Sequence, residues 1–275
     1  MFLRYIKRKL ERRKARRVFQ EYPFEIITFK LPGEGEAQFA YWKNPLNAPV
    51  TINHEMVDFF RQFIPKGSLA IDIGANTGDT TVPMALAAGK EGLVIGFDPN
   101  PHVFKILETN VSLNPDKTNI VALPFAITEK DDEFYYASSE ASFGNGGISS
   151  QPSRFHGSFT LPEKIKGIKL EPYLEQQYRE WLPKISCIKV DAEGYDKQII
   201  KSIHQLIEKY KPVIIAECFS NLSRSEREEL YNCVAEKGYE LFYFADFIKG
   251  TEVQPLAITD MLKRKHFNFY AIPVK

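Results

Sequence analysis

The stretch Leu69–Asn100, LAIDIGANTGDTTVPMALAAGKEGLVIGFDPN, decides the reading of this 275-residue chain. Its apolar run from Leu69 to Ile73 ends in Gly74-Ala75-Asn76-Thr77-Gly78. A helix-compatible segment follows to about Ala88. Pro83 requires that helix to begin just before it, because proline is tolerated only in a first turn. Gly89 and Gly92 end the segment, and a second apolar run, Leu93 to Phe97, closes on Asp98. The pattern predicts one strand–turn–helix–strand unit with a parallel crossover.

Such a unit builds a cleft of the kind that takes nucleotides. A glycine at the first turn lets backbone approach a ligand closely, since no Cβ intervenes. The helix start presents free N–H groups beside it. An acid at the tip of the second strand, roughly 20 residues on, accepts two hydrogen bonds from a ribose diol, and Asp98 holds that position. The spacing Gly74-x-Asn76-x-Gly78 departs from the dinucleotide fingerprint G-x-G-x-x-G. Asp72 before the turn and Asp79 after it repel a pyrophosphate. They suit a ligand with a ribose and a cationic amino group, such as S-adenosylmethionine. The bland alternative is a plain strand–helix–strand turn with no ligand.

Working outward, formal net charge is +1, but it is unevenly spread. The first 17 residues carry nine Lys/Arg against Glu11, about +8, which leaves about −7 on the rest. A body of that sign lacks the basic footprint of a general nucleic-acid binder. Cys187, Cys218 and Cys233 are odd in number and form no C-x-x-C pair, so neither a disulfide framework nor a zinc site is expected. A reducing compartment, the cytoplasm, fits that usage. No apolar run approaches the roughly 18 residues that span a bilayer.

Residues 1–20 read as a basic arm. Met1, Phe2, Leu3, Ile6 and Leu10 share one helical face, and residues 1–17 are either an interfacial helix attracted to anionic membrane or a solvated, frayed tail. Residues 21–65 read as a hairpin around Pro32-Gly33-Glu34-Gly35 followed by a capping helix from Asn53 to Phe63. His54 at its start is a cleft residue or a surface one. The main domain, 66–275, continues with a helix from Pro101 to Asn114, with Phe104, Leu107, Val111 and Ile106 facing inward. A third strand, Ile120 to Leu123, leads to Phe125 and Ala126, candidate walls at the adenine end of the cleft. Phe134 to Tyr136 is an extra strand. Residues 137–160, rich in Ser, Gly and Asn, form a lid or acceptor-binding loop, with Arg154 and His156 as its cations, or a merely mobile insertion.

A strand edge at Gly167 to Leu170 and a helix from Glu171 to Trp181 come next. Ile185 to Asp191 is a further apolar strand ending on an acid, followed by Ala192-Glu193-Gly194-Tyr195-Asp196. A helix from Lys197 to Tyr210, a strand ending at Glu217 and a helix capped at Ser223 or Ser225 follow. Tyr239 to Phe244 and Phe267 to Ile272 read as a C-terminal antiparallel pair. Strands alternating with helices predict an α/β, doubly wound, mostly parallel Rossmann-like sheet of seven strands. Ligands in such sheets lie beyond the carboxyl ends of the strands, where Asp72, Asp98, Asp191 and Glu217 all fall.

Four motifs identify the resemblance. Ile71-Asp-Ile-Gly-Ala-Asn-Thr-Gly78, Phe97-Asp-Pro-Asn-Pro101, Asn110-x-x-x-Asn114 and Ile188-Lys-Val-Asp-Ala-Glu-Gly194 together resemble class I S-adenosylmethionine-dependent methyltransferases of the FkbM type, over roughly Lys66 to Tyr239. The family usually carries Glu where this chain has Asp98; the shorter acid still takes both ribose hydroxyls. The resemblance implies O-methylation of a hydroxyl on a sugar, glycan, glycolipid or glycosylated natural product. It implies cofactor binding by Asp72, Gly74, Ala75, Asn76, Thr77, Gly78, Phe97, Asp98, Pro99, Asn100, Phe125 and Ala126. It also places Asp191 and Glu193 near the methyl group, where either is a candidate general base. Lys189 pairs with one of these acids or is solvated. The alternative role for Glu193 is to cap the following helix. A divalent metal on Asp191, Glu193 and Glu217 is compatible with the residues but not required. The rival functions are an NAD-dependent dehydrogenase and a non-catalytic Rossmann-like protein using its basic arm on membrane or partner.

Overall fold

The computed structural model describes residues 2–149 and 159–274, with side chains from Tyr5 onward. Helix α1 (Phe2–Arg17) precedes a hairpin of β1 (Phe24–Leu31) and β2 (Gly35–Trp42). Helix α2 (His54–Arg61) starts at Asn53, whose side-chain oxygen accepts the Met56 N–H. Then come β3 (Leu69–Ile73), α3 (Thr81–Ala88), β4 (Leu93–Phe97), α4 (Pro101–Ser112) and β5 (Ile120–Leu123). Five short strands follow: β6 (Ala126–Ile127), β7 (Asp132–Ser138), β8 (Gly147–Ser149), β9 (Phe159–Thr160) and β10 (Ile165–Ile168). The chain continues through α5 (Leu170–Gln177), β11 (Ile185–Val190), α6 (Asp196–Ser202), α7 (His204–Tyr210), β12 (Val213–Cys218) and α8 (Arg224–Ala235). It ends with β13 (Tyr239–Phe244), β14 (Val253–Pro255) and β15 (Phe267–Pro273).

The main sheet has the order β14-β13-β15-β12-β11-β3-β4-β5. Its five strands from β12 to β5 are parallel, and β15 pairs antiparallel with both β12 and β13. β3 and β4 are buried at every position, as parallel strands covered on both faces must be. The pairing register of β3 with β11 sets Asp72 beside Lys189, and Ile73 beside Val190. The two apolar layers are distinct. One face carries Leu69, Ile71, Ile188 and Ile214 against α5 through α8. The other carries Ala70, Val94 and Ile215 against α2, α3 and the hairpin, with Phe59, Phe60 and Met84 fully buried.

Several expectations are corrected. The sheet has eight strands, not seven, because the exposed edge strand β14 pairs with β13. Three exposed residues ending in proline read as loop in sequence. The helix expected over 197–210 is two, since Ile203 leaves helical geometry (φ −112°, ψ 21°). There the Ser202 hydroxyl donates to the Ile199 carbonyl and the Leu206 N–H to the Glu171 carboxylate. The helix expected to reach Trp181 ends at Gln177. The inward face of α4 is Val103, Ile106, Leu107 and Asn110, with Phe104 and Val111 only half-buried. Residues 137–160 are no free loop in their described part: β7, β8 and β9 pair, and Ala141, Ser142 and Phe143 are buried. Arg154 and His156 lie outside the described residues.

The Asn110/Asn114 pair has a structural explanation. Asn110 Oδ1 accepts the Ala40 N–H at 2.6 Å, and its Nδ2 donates to the Ala40 and Thr77 carbonyls. Asn114 repeats the clamp on Gln38, accepting its N–H and donating to its carbonyl, both at 2.9 Å. One helical turn apart, the two amides satisfy the backbone of β2 as a neighbouring strand would, and fasten the hairpin to α4.

Candidate functional site

A cavity of about 640 Å³ opens beyond the carboxyl ends of β3, β4 and β11, within the range of small-molecule sites. Of the residues singled out in the sequence, Gly74, Asn76, Thr77, Phe97, Asp98 and Pro99 line it on the β3 and β4 side. Phe125 and Ala126 line it after β5, and Asp191 and Glu193 after β11. Asp72, Ala75, Gly78 and Asn100 do not.

The glycines of the first turn serve internal packing. Gly74 takes φ +76°, and a Cβ there would meet the Asp191 carbonyl oxygen at 1.8 Å. The close approach expected for a ligand is therefore made to the neighbouring strand end. Gly78 at φ +95° leaves room for Leu107 of α4, 3.1 Å from where its Cβ would stand. Ala75 is fully buried and donates its N–H to the Phe97 carbonyl, as Gly74 does. Asn76 holds a left-handed φ of 47°, a conformation that asparagine tolerates.

Asp98 is held by that turn. Its Oδ2 accepts the Asn76 N–H at 2.8 Å and its Oδ1 the Asn100 N–H at 2.9 Å. Each carboxylate oxygen has capacity for a further hydrogen bond, and Asp98 lines the cavity. Burial raises its pKa to about 7, against the lowering pull of the two amides. Asn100 itself is 1 % exposed. Its side chain caps α4 by accepting the His102 N–H and donates to the Phe143 carbonyl and the Tyr136 hydroxyl.

Across the cavity, Lys189 is buried and pairs with two carboxylates, Asp72 Oδ1 at 3.2 Å and Asp191 Oδ2 at 3.3 Å. Asp72 is fully buried behind the turn, its Oδ2 accepting the Thr80 and Thr81 hydroxyls at 2.8 and 2.7 Å. It braces the site from behind. Burial works to lower the Lys189 pKa, but Asp72, Asp191 and Asp79 together raise it, so the ammonium stays charged. Asp191 is the exposed member of the group, its side chain 40 % accessible.

Glu193 holds a left-handed φ of 51° and lines the cavity. Glu193 remains exposed to solvent; desolvation by the surrounding wall and, secondarily, the Asp191 charge raise its pKa to about 7. Asp196, not Glu193, closes the turn before α6, accepting the Ala192 and Gly194 N–H groups on Oδ2. Burial and Asp191 raise Asp196 to about 7 as well. Glu217 lies further along, with Oε1 2.9 Å from His266 Nε2. Its pKa is pushed to about 9, first by burial and then by Asp191, Asp196 and Glu193. Among the described residues no group of three His, Cys, Asp or Glu is arranged to hold a metal ion. Among the described residues the carboxylates that line the cavity are Asp79, Asp98, Asp191, Glu193 and Asp246, and Lys189 is the buried cation beside them.

One of the opposite walls falls within 137–160, read in the sequence as a lid or acceptor-binding loop; the other two were not singled out. Asn47 to Thr51 before α2, Gly144 to Ile148 at β8, and Asp246 to Ile248 after β13 complete the cavity. Apart from Gly147 and Ile148 of β8 they are residues outside helix and strand, carry no motif, and are brought together by the fold. His54 is half-exposed, pairs with Glu55 at 3.1 Å and does not line the cavity, whereas Asn53 and Met56 of the same segment do.

The sequence model of the Methyltransferase FkbM domain matches residues 72–258, more than half of the chain. A protein-L-isoaspartate O-methyltransferase of Caenorhabditis elegans is 31% identical over 68 residues, 24% of this chain and 30% of that protein. The match thus spans less than a third of that relative. Among solved structures, a methyltransferase FkbM from Methylobacillus flagellatus KT aligns at a TM-score of 0.45 and 9% identity, covering 78% of this chain and 50% of that one. A SAM-dependent O-methyltransferase from Thermotoga maritima aligns at 0.43 and 14%, covering 92% and 78%.

Proposed function

This chain belongs to the FkbM methyltransferase family and uses S-adenosylmethionine, and we propose that it methylates a hydroxyl oxygen of a sugar, glycan, glycolipid or glycosylated natural product, with its basic arm as a peripheral membrane contact. The observation that carries the reading is Asp98. It stands at the tip of β4 and lines the cavity, with both oxygens held by backbone amides and each able to accept one more hydrogen bond. That is the fork a ribose diol requires. Phe97, Pro99, Phe125 and Ala126 supply apolar wall around it.

When bound, S-adenosylmethionine supplies a methyl carbon whose bond to sulfur breaks as its bond to the acceptor oxygen forms, leaving a neutral thioether. The rest is alignment and one proton. Glu193 takes the hydroxyl proton: it lines the cavity, makes no side-chain hydrogen bond among the described residues, and has a pKa of about 7, near the operating range of an efficient base. Asp191, paired with Lys189, presents its carboxylate to the cavity on the side where a sulfonium would lie. Amide and hydroxyl groups at Asn47, Thr51, Asn53 and Asn145 on the far wall suit an acceptor rich in hydroxyls.

Calorimetry tests the donor site. S-adenosylhomocysteine is expected to bind at micromolar levels and NAD not to bind. Asp98→Ala is expected to weaken the former by roughly 100-fold, since a hydrogen bond to a charged group contributes about 1.5–3 kcal/mol. Tight NAD binding, or an Asp98→Ala variant that binds S-adenosylhomocysteine normally, overturns the assignment. Turnover of labelled donor against sugars, glycolipids and small alcohols then identifies the acceptor.

A further inference from the structure

Helix α1 is docked on the body by one side and displays the other. Ala15 is fully buried, Arg12 Nη1 donates to the Pro45 carbonyl at 3.0 Å, and the Ala141 N–H donates to the Arg16 carbonyl at 3.2 Å. Just past the helix, the Phe19 ring packs on His102 and Phe143, with centroids 5.2 and 6.3 Å away. The arm is therefore held at its C-terminal end and is not frayed there.

Ile6 stands nine residues before Ala15, which at 3.6 residues per turn is about 180° around the helix. The apolar side of α1 thus faces away from the body: Ile6 is 38% and Leu10 59% exposed. Arg13 and Arg17 continue the same outward stripe, at i+7 and i+11 from Ile6, and both are exposed. A helix packed for the protein's own core would turn this stripe inward.

We infer that the outward face of α1 is a docking surface for an anionic phospholipid bilayer. Ile6 and Leu10 enter the acyl boundary, and Lys7, Lys9, Arg13, Lys14 and Arg17 lie among the headgroups. The charge is complementary: about +8 sits on the first 17 residues and about −7 on the remainder, so attraction to an anionic surface is confined to the arm. The apolar pair selects lipid over nucleic acid, whose phosphates and base edges give Ile6 and Leu10 nothing to bury against. Resting on the reading of the cavity as a methyl-donor site, this docking holds that site at the membrane surface. The tether to the site is short. The Asn100 side chain donates to the Phe143 carbonyl at 2.7 Å while its N–H orients Asp98, and Phe143 is the residue on which Phe19 rests.

The test uses the full chain with vesicles of phosphatidylcholine alone or mixed with phosphatidylglycerol, and an RNA duplex as competitor. Sedimentation is expected with the anionic vesicles only, and it weakens as salt rises. Ile6→Asp with Leu10→Asp, and separately Lys9→Glu with Arg13→Glu, are each expected to reduce partitioning by roughly tenfold or more. S-adenosylhomocysteine affinity, read by calorimetry on the same samples, shows that the variants are folded and is expected to stay unchanged. Partitioning unaffected by either pair, no partitioning of the unaltered chain, or RNA displacing the vesicles overturns the docking surface. Failure of the unaltered chain to bind S-adenosylhomocysteine instead sinks the donor-site reading and leaves the vesicle result standing.

Discussion

Glu193→Gln is expected to lower turnover by about 10²–10⁴-fold, the range a positioned general base contributes, while S-adenosylhomocysteine affinity changes little. The amide keeps the shape of the side chain and removes the proton acceptor. In the unaltered protein kcat is expected to rise with pH through about 7, because Glu193 is a base only when ionised and its pKa is raised to about 7. The variant loses that rising limb. The origin of the raised value is checkable: desolvation comes first and the Asp191 charge second, so Asp191→Asn moves the limb to lower pH. That variant also removes negative charge from the site, so its kcat falls while donor affinity is expected to fall less. A Glu193→Gln enzyme with the same pH profile as its parent would return the base role to Asp191 or remove it from both.

The second large effect concerns the fold that presents the site. Lys189→Met is expected to destabilise the protein by about 3–5 kcal/mol, the cost of removing one partner from a buried ion pair. Asp72 is fully buried, and without the ammonium its charge is compensated only by the Thr80 and Thr81 hydroxyls. Urea unfolding measures the loss. Asp72→Asn added to Lys189→Met is expected to recover much of it, because the double variant leaves no fully buried unpaired charge between β3 and β11, while Asp191, which also loses the ammonium, is 40% accessible to water. If Lys189→Met unfolds at the parent's urea concentration, the pair is not what secures the two strand ends.

The central unit was legible because its signals are local. Leu93 to Phe97 and, Asp72 apart, Leu69 to Ile73 are runs of non-polar residues, Gly74 and Gly78 punctuate the turn, and Pro83 falls inside the first turn of α3. The strand ends at Asp72, Asp98 and Asp191 follow from the same periods. β14 was not legible, since three exposed residues carry no period, and neither was the break at Ile203 between α6 and α7.

Roles needed the third dimension. Gly74 looks like a residue cleared for a ligand, but it is cleared for the Asp191 carbonyl. Asn110 and Asn114 stand in the sequence as a signature spacing of the family, and in the structure they clamp β2. The sequence by itself determined the strand order's parallel centre, the donor turn and the acid at the tip of β4, because hydrophobic period and turn chemistry act between near neighbours. Tertiary structure decided which acids face the cavity, which are neutralised behind it, and that Ile6 and Leu10 look outward. Those depend on contacts between residues far apart in the chain, such as Lys189 with Asp72, whose meeting no local pattern records.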